Sequence, residues 1–143
     1  MIGLKFELIC YIGRLPVIKI NKMQGRILVV DDDEMLRQTI ELLLIYKGYI
    51  VKTLSTGRNL IETVAEFSPD LILLDIILDG LSGRDLCREL KMHQFYHHIP
   101  VIVMSANDDV YNSICADGAN DVILKPFDER TLLSRIERQL VQL

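Results

Sequence analysis

Short, fully apolar runs alternate with amphipathic segments along most of this chain. From Arg26 onward the runs ILVV, LILL and VIVM are apolar at every position, which is typical of strands buried on both faces of a parallel sheet. The segments between the runs carry apolar residues at the spacing of helices. The predicted strands are Arg26–Val30, Tyr49–Leu54, Asp70–Leu74, Ile99–Met104 and Asp121–Leu124. This alternation predicts an α/β fold, a parallel five-stranded sheet covered by helices on both faces.

Capping residues mark one limit of four of the five predicted helices. Gly48 follows the first apolar helical stripe and suits the left-handed conformation that often ends a helix. Ser82, with Asp85 three residues later, forms the pattern of a capping box. The remaining predicted helices are one around Leu60–Phe67, one capped by Asn107 or Asp108 and ending near Gly118, and one that begins at Asp128.

Size and composition fit one globular domain. The chain has 143 residues, of which 50% are hydrophobic and 25% are charged, a mixture that supports a packed core and is too apolar for a disordered chain. A net charge of -4 provides no basic surface for a nucleic-acid backbone, so direct nucleic-acid binding is not expected. Cys10, Cys87 and Cys115 form no CxxC pair, which favours reduced thiols and a cytoplasmic location over a disulfide or zinc framework.

Residues 1–24 form an N-terminal extension ahead of the predicted domain, which comprises residues 25–143. The extension is apolar, but charged residues and Pro16 interrupt it too often for a membrane span. It also lacks the continuous apolar stretch and small-residue end of a secretory signal. Three interpretations stay open: a natural start at Met23 with a non-native leader, an additional strand, or an arm that docks a partner.

Reactive side chains follow the predicted strands at one edge of the sheet. Asp31 and Asp32 follow the first strand, Asp75 the third, Ser105 the fourth and Lys125 the fifth. Ligands bind beyond the carboxyl ends of parallel strands, so these groups are expected to meet. Three neighbouring carboxylates would repel one another. Oxygen ligands without His or Cys favour a hard cation, and Mg²⁺ suits a few carboxylates and waters.

The chemistry that fits this set of residues is phosphoryl transfer, with Asp75 as the nucleophile. Mg²⁺ would bridge a phosphoryl oxygen to Asp32 and Asp75. Ser105 would donate a hydrogen bond to a second oxygen, and Lys125 would pair with a third.

Four motifs, ILVVDDDE, LILLDIILDGLSG, VIVMSA and ILKPF, occur in an order that closely resembles response regulator receiver domains, from Arg26 to about Leu140. The resemblance implies a flavodoxin-like sheet ordered 2-1-3-4-5 and phosphorylation of Asp75 by a histidine kinase. It implies a signal to a downstream effector domain or protein through the fourth helix, fifth strand and fifth helix. It also implies a signalling domain and not an enzyme, one that assists only its own phosphorylation and dephosphorylation.

The resemblance carries roles onto individual positions. By position, Asp31 and Asp32 correspond to the acidic pair of the family and Asp75 to its phosphoacceptor. Ser105 corresponds to the switch hydroxyl and Lys125 to the lysine. The family pattern further implies that Ile77 offers its backbone carbonyl to the metal and that the Lys125-Pro126 bond is cis. Many relatives form homodimers through the face that contains Arg135.

Two positions depart from the family pattern. Val122 stands where many members carry an aromatic switch residue, so an inward rotation of Tyr or Phe is not available here. Signalling is then expected to depend on Ser105 and a backbone shift of the loop after it. Asp79 replaces a common proline and is interpreted as a solvated turn residue.

Other classes of protein use similar residues. Haloacid-dehalogenase-like phosphatases also combine an Asp nucleophile, Mg²⁺, a hydroxyl and a Lys, but they place acidic ligands after the lysine, whereas Pro126 and a predicted helix follow Lys125. A flavodoxin binds phosphate with hydroxyls and backbone amides after its first strand, where this chain has three aspartates. A degenerate receiver that only binds partners is a third alternative.

The histidines His93, His97 and His98 include an i, i+4 pair, a spacing that can bind zinc. No Cys or third acidic ligand stands nearby, so solvation at a helix end is the preferred interpretation.

Overall fold

A computed structural model describes residues 7–8, 18–19, 25–107 and 116–141. The main sheet has five parallel strands in the order β2-β1-β3-β4-β5. The strands are β1 (Arg26–Val30), β2 (Ile50–Leu54), β3 (Leu71–Asp75), β4 (Val101–Ser105) and β5 (Asp121–Leu124). The predicted α/β fold and the strand order 2-1-3-4-5 are confirmed.

Helices cover both faces of this sheet. They are α1 (Glu34–Tyr46), α2 (Leu60–Phe67), α3 (Gly83–Met92) and a C-terminal helix (Glu129–Val141). Alternate residues of the strands enter two cores, one closed by α2 and α3 and the other by α1 and the C-terminal helix. Residues 108–115, which contain most of the predicted fourth helix, lie outside the described residues, although Ala116 is helical.

The predicted limits of three strands are wrong by one or two residues. The Tyr49 amide still donates to Leu44 O at the end of α1 (3.0 Å), so β2 begins one residue later. β4 begins after Pro100, which has no amide hydrogen for the ladder and contributes only its carbonyl, to Ile72 N. The third and fourth strands each continue one residue further than predicted, so Asp75 and Ser105 are the last residues of their strands.

The caps predicted at Ser82 and Asp128 agree with the structure, and Asp33 caps α1 in the same way. Asp33 Oδ1 accepts a hydrogen bond from Leu36 N, Ser82 Oγ from Asp85 N, and Asp128 Oδ1 from Thr131 N. Gly48 follows α1 with a φ of 96°. These bonds satisfy amides that a helix leaves unpaired in its first turn.

Two short hairpins accompany the main sheet. Ile77–Leu78 pairs antiparallel with Leu81–Ser82 directly after β3, and the exposed Asp79 lies in the turn. In the N-terminal extension, Glu7–Leu8 pairs antiparallel with Ile18–Lys19. Within the described part of the chain, no helix has both the length and the apolar character needed to cross a bilayer.

Candidate functional site

Three carboxylates converge at the carboxyl edge of the sheet. Asp31 follows β1 and Asp75 ends the neighbouring strand β3, so the parallel register brings them side by side. One oxygen from each of Asp31, Asp32 and Asp75 lies within 4.8 Å of the other two. Asp31 is fully buried and Asp75 is 6% exposed, whereas Asp32 faces solvent. The pocket therefore has two buried carboxylates and one at its mouth.

The ammonium of Lys125 enters this pocket from the end of β5. Its Nζ lies 2.9 Å from Asp31 Oδ2 and 3.4 Å from Asp75 Oδ1. Burial acts to lower the pKa of Lys125, but the hydrogen bond and charge of Asp31, with the charge of Asp75, outweigh it and the pKa is raised. Lys125 therefore stays protonated and offsets part of the negative charge.

The pKa of Asp75 is raised from 3.8 to about 6. Burial of the carboxyl is the largest cause and the charge of Asp31 the second. Lys125 and the Ile77 amide lower the pKa but do not cancel the increase. Burial and the neighbouring charge of Asp31 therefore together favour the protonated form of Asp75.

Every polar atom of Asp31 is hydrogen-bonded, and its amide donates to Leu54 O at 3.1 Å. Its Oδ1 accepts from Asp33 N (2.9 Å) and its Oδ2 accepts from Lys125. Its carbonyl accepts from Nη1 of Arg37 on α1 (2.8 Å). The sequence analysis did not single out Arg37, although a basic residue one turn into the helix that follows an acidic cluster was an available signal.

Ser105 ends β4 beside Asp75 and Lys125. Its hydroxyl is buried, donates to Asn107 O and accepts from Asn107 N, both at 3.1 Å. The Ser105 carbonyl accepts from Lys125 N at 2.7 Å. Ser105 therefore ends its strand at the same edge of the sheet as Asp75, and its hydroxyl is engaged with its own loop.

The backbone of Ile77 adjoins the phosphoacceptor candidate, since Ile77 N donates to Asp75 Oδ1 at 3.4 Å. The Ile77 side chain is 72% exposed. Gly83, the first residue of α3, packs even more closely, because a Cβ built there would lie 2.0 Å from the Asp75 carbonyl oxygen. Sequence analysis did not identify Gly83, since a glycine in a motif does not reveal what it contacts.

The remaining predicted residues lie along β5 and the C-terminal helix. Val122 is buried. Arg135 Nη1 pairs with Asp121 Oδ1 at 2.6 Å, while Asp121 Oδ2 is buried and has no hydrogen-bond partner in the described part of the chain. The Lys125-Pro126 peptide bond is cis, as the resemblance implied.

The histidines lie apart from the carboxylates, in the loop after α3. The His93 ring stacks on Tyr96 at 4.3 Å, and His97 Nδ1 lies 3.0 Å from the His93 carbonyl. Among the described residues, the only group of three that could ligate a metal is the set of three aspartates. Zinc binding by the histidines receives no support from this part of the chain.

Comparisons with known proteins agree with this geometry. The sequence model of one family, described as the response regulator receiver domain, matches residues 27–137. The DNA-binding response regulator MtrA of Mycobacterium tuberculosis is 34% identical over 122 residues, which are 84% of this chain and 52% of that protein. The uncharacterized transcriptional regulatory protein YkoG of Bacillus subtilis is 36% identical over 83% of this chain and 52% of its own length. The chain thus spans about half the length of these curated relatives.

Solved structures show the same likeness. The chemotaxis response regulator CheY4 of Vibrio cholerae superposes with a TM-score of 0.75 and 26% identity, covering 80% of this chain and 98% of that one. The signal receiver domain of a signal transduction histidine kinase from Syntrophus aciditrophicus gives a TM-score of 0.74 and 28% identity, over 83% and 92% of the two chains.

Proposed function

The chain belongs to the response regulator receiver domain family, and from this premise we propose that it is a phosphorylation-dependent switch whose phosphoacceptor is Asp75. The observation that carries the proposal is the ammonium of Lys125 between the buried carboxylates of Asp31 and Asp75. A buried cluster of like charges is costly for stability. The arrangement is well suited to receive an anionic phosphoryl group beside a fixed cation.

In the proposed reaction, a carboxylate oxygen of Asp75 forms a bond to phosphorus while the P–N bond of a donor phosphohistidine breaks. The electron pair of that bond leaves with the imidazole nitrogen. Lys125 Nζ, already 3.4 Å from Asp75, pairs with one phosphoryl oxygen. Ser105 exchanges its hydrogen bond to Asn107 O for one to a second oxygen.

The donor set fits Mg²⁺. Three oxygen ligands without His or Cys suit a hard cation, and the pocket sets one ammonium against three carboxyl groups. Asp31, Asp32, Asp75 and the backbone carbonyl of Ile77 would hold the ion. When bound, it would neutralise charge on the phosphoryl oxygens.

The proposed partners are a histidine kinase as phosphoryl donor and a downstream effector domain or protein as target. Because Val122 is buried and has no aromatic ring, we assign the output to Ser105 and the loop after it. The face with the Arg135–Asp121 ion pair is proposed for homodimer formation. MtrA is a DNA-binding response regulator, and control of transcription by a longer form of this protein is a proposal on that basis.

Mass spectrometry after incubation with acetyl phosphate tests the proposal. One phosphoryl group should add in Mg²⁺ and none in EDTA. Asp75→Asn should abolish the addition, whereas Asp79→Asn, which changes an exposed carboxylate in the adjacent turn, should not. Full labelling of Asp75→Asn would show that the nucleophile is a different residue. Rapid multiple turnover of a phosphate monoester would instead favour a phosphatase, and no labelling under any condition would favour a degenerate receiver.

A further inference from the structure

The outward face of α1 is apolar to a degree not seen on the other described helices. Four large side chains on it are 51–82% exposed: Met35, Leu42, Ile45 and Tyr46. Gln38 and Thr39 lie within the same sector of the helix and are also exposed. No charged residue falls inside this sector, which extends over three turns. We call these six residues the outward face of α1.

Other described helices expose charged residues instead. On α3 the exposed positions include Asp85, Arg88 and Glu89, and on the C-terminal helix they include Glu129 and Arg138. The inward side of α1 is apolar as well, with Ile40 and Leu44 buried in the core. A helix that is apolar on both sides is typical of one covered on both sides.

Acidic residues border the outward face along one edge. Glu34 and Glu41 are seven residues apart and therefore lie on the same side of α1. Neither has an ion-pair partner within residues 25–107 and 116–141. Antiparallel packing against α1 of a second copy would bring the two acidic edges together, so charge favours a basic occupant.

The N-terminal extension has the complementary character. Residues 1–24 contain the four basic residues Lys5, Arg14, Lys19 and Lys22 against one acidic residue, Glu7, while the chain as a whole has a net charge of -4. Most of its other residues are apolar. Its described strands, Glu7–Leu8 and Ile18–Lys19, pair only with each other. A two-stranded hairpin is marginally stable in water unless it packs on another surface.

The extension also joins the domain close to the C-terminal end of α1. The Gly25 carbonyl accepts a hydrogen bond from Ile50 N at 2.9 Å. Ile50 is the first residue of β2 and follows shortly after the end of α1 at Tyr46. The exposed Leu42, Ile45 and Tyr46 are in the last turns of α1, at this end of the helix. Five residues separate Lys19 from Gly25 and can span about 17 Å. The 13 residues of α1 are about 20 Å long, so the extension can reach most of the helix.

We infer that residues 1–24 fold back onto the outward face of α1, with their apolar side chains against Leu42, Ile45 and Tyr46 and their basic side chains along Glu34 and Glu41. This contact is independent of the phosphoryl chemistry proposed above. The matched family region begins at residue 27, so the contact would be a property of this chain beyond the family fold.

Hydrogen–deuterium exchange tests the inference, by comparing the full chain with a variant that begins at Met23. The shorter chain should fold, because CheY4 consists almost entirely of the matched region. Peptides from α1 should exchange several-fold faster in the shorter variant, while peptides from α3 should be unchanged. Equal exchange of α1 in both chains would overturn the inference.

A pair of substitutions in the full chain provides the matched control. Leu42→Lys places a cation in the outward face and should raise α1 exchange to the level of the shorter variant. Met92→Lys changes a similarly exposed residue, 79% against 69%, at the end of α3 and should have no effect on α1. Protection of α1 that grows with protein concentration, together with a dimer on a sizing column, would assign the face to a second copy and overturn the inference.

Discussion

Replacement of Asp75 by Asn should make the folded protein more stable above pH 6 in the absence of divalent cations. The wild-type carboxyl is buried beside Asp31, and its pKa is raised to about 6. The folded state therefore favours the protonated form more strongly than the unfolded chain does. An amide has a similar shape and carries no charge, so it removes the repulsion.

The sign and size follow from proton linkage. A carboxyl whose pKa is raised on folding stabilises the fold below its ordinary value of 3.8 and loses that contribution as the pH rises through about 6. A difference of about two pKa units corresponds to about 3 kcal/mol. The Asn side chain does not reproduce every contact of the protonated acid, so we expect a gain of about 2 kcal/mol in the free energy of unfolding.

Urea denaturation in EDTA measures this difference. A range of about pH 3.5 to 8 extends from just below the ordinary pKa of 3.8 to well above the raised pKa of about 6. The variant should be slightly less stable than the wild type at the acidic end, and the two stability curves should cross before the variant gains its advantage through pH 5 to 6. Asp79→Asn provides the control, because that carboxylate is exposed and its removal should change the free energy of unfolding by no more than about 0.5 kcal/mol. Saturating Mg²⁺ should stabilise the wild type more than Asp75→Asn. A variant no more stable than the wild type at pH 7.5 would refute the reasoning.

Two further substitutions test the electrostatics and the packing of the same pocket. Lys125→Met removes the ammonium from Asp31, which is fully buried, and should cost about 3 kcal/mol at pH 7 in urea denaturation; a stability equal to the wild type would contradict this. Gly83→Ala places a Cβ 2.0 Å from the Asp75 carbonyl oxygen and should lower thermal stability by an amount equivalent to at least about 2 kcal/mol. Gly80→Asn is its control, since the Gly80 Cβ position is open and Asn tolerates a positive φ. Equal losses of stability in the two variants would argue against the packing explanation.

The sheet and the order of its strands could be predicted because the apolar runs and the family motifs both bear on them. Runs such as LILL have one stable location, the interior of a parallel sheet. Strand ends were less accurate, because they depend on individual hydrogen bonds. β4 and β2 begin later than predicted because of the backbone hydrogen bonds made at Pro100 and Tyr49. The apolar pattern of the sequence contains no information about these bonds.

The four charged residues of the pocket were predictable for a similar reason: parallel strands bring their carboxyl ends to one edge. Contacts made by the backbone were not predictable. Arg37 binds the Asp31 carbonyl and Gly83 packs on the Asp75 carbonyl, and a carbonyl oxygen is present at every position of any sequence. The burial of Asp121 Oδ2, which has no hydrogen-bond partner among the described residues, was likewise not predictable, because only the packed fold removes this atom from water.

The contact between Gly83 and the Asp75 carbonyl gives the pocket one wall that cannot be redesigned. On that side, α3 starts against the main chain of β3 with no room for even a methyl group. The loop of Ser105 and Asn107 is instead held by hydrogen bonds between the Ser105 hydroxyl and the Asn107 backbone, which a threonine hydroxyl can also make. Engineering of this pocket therefore keeps some freedom at position 105, where a hydroxyl is the requirement, and none at position 83.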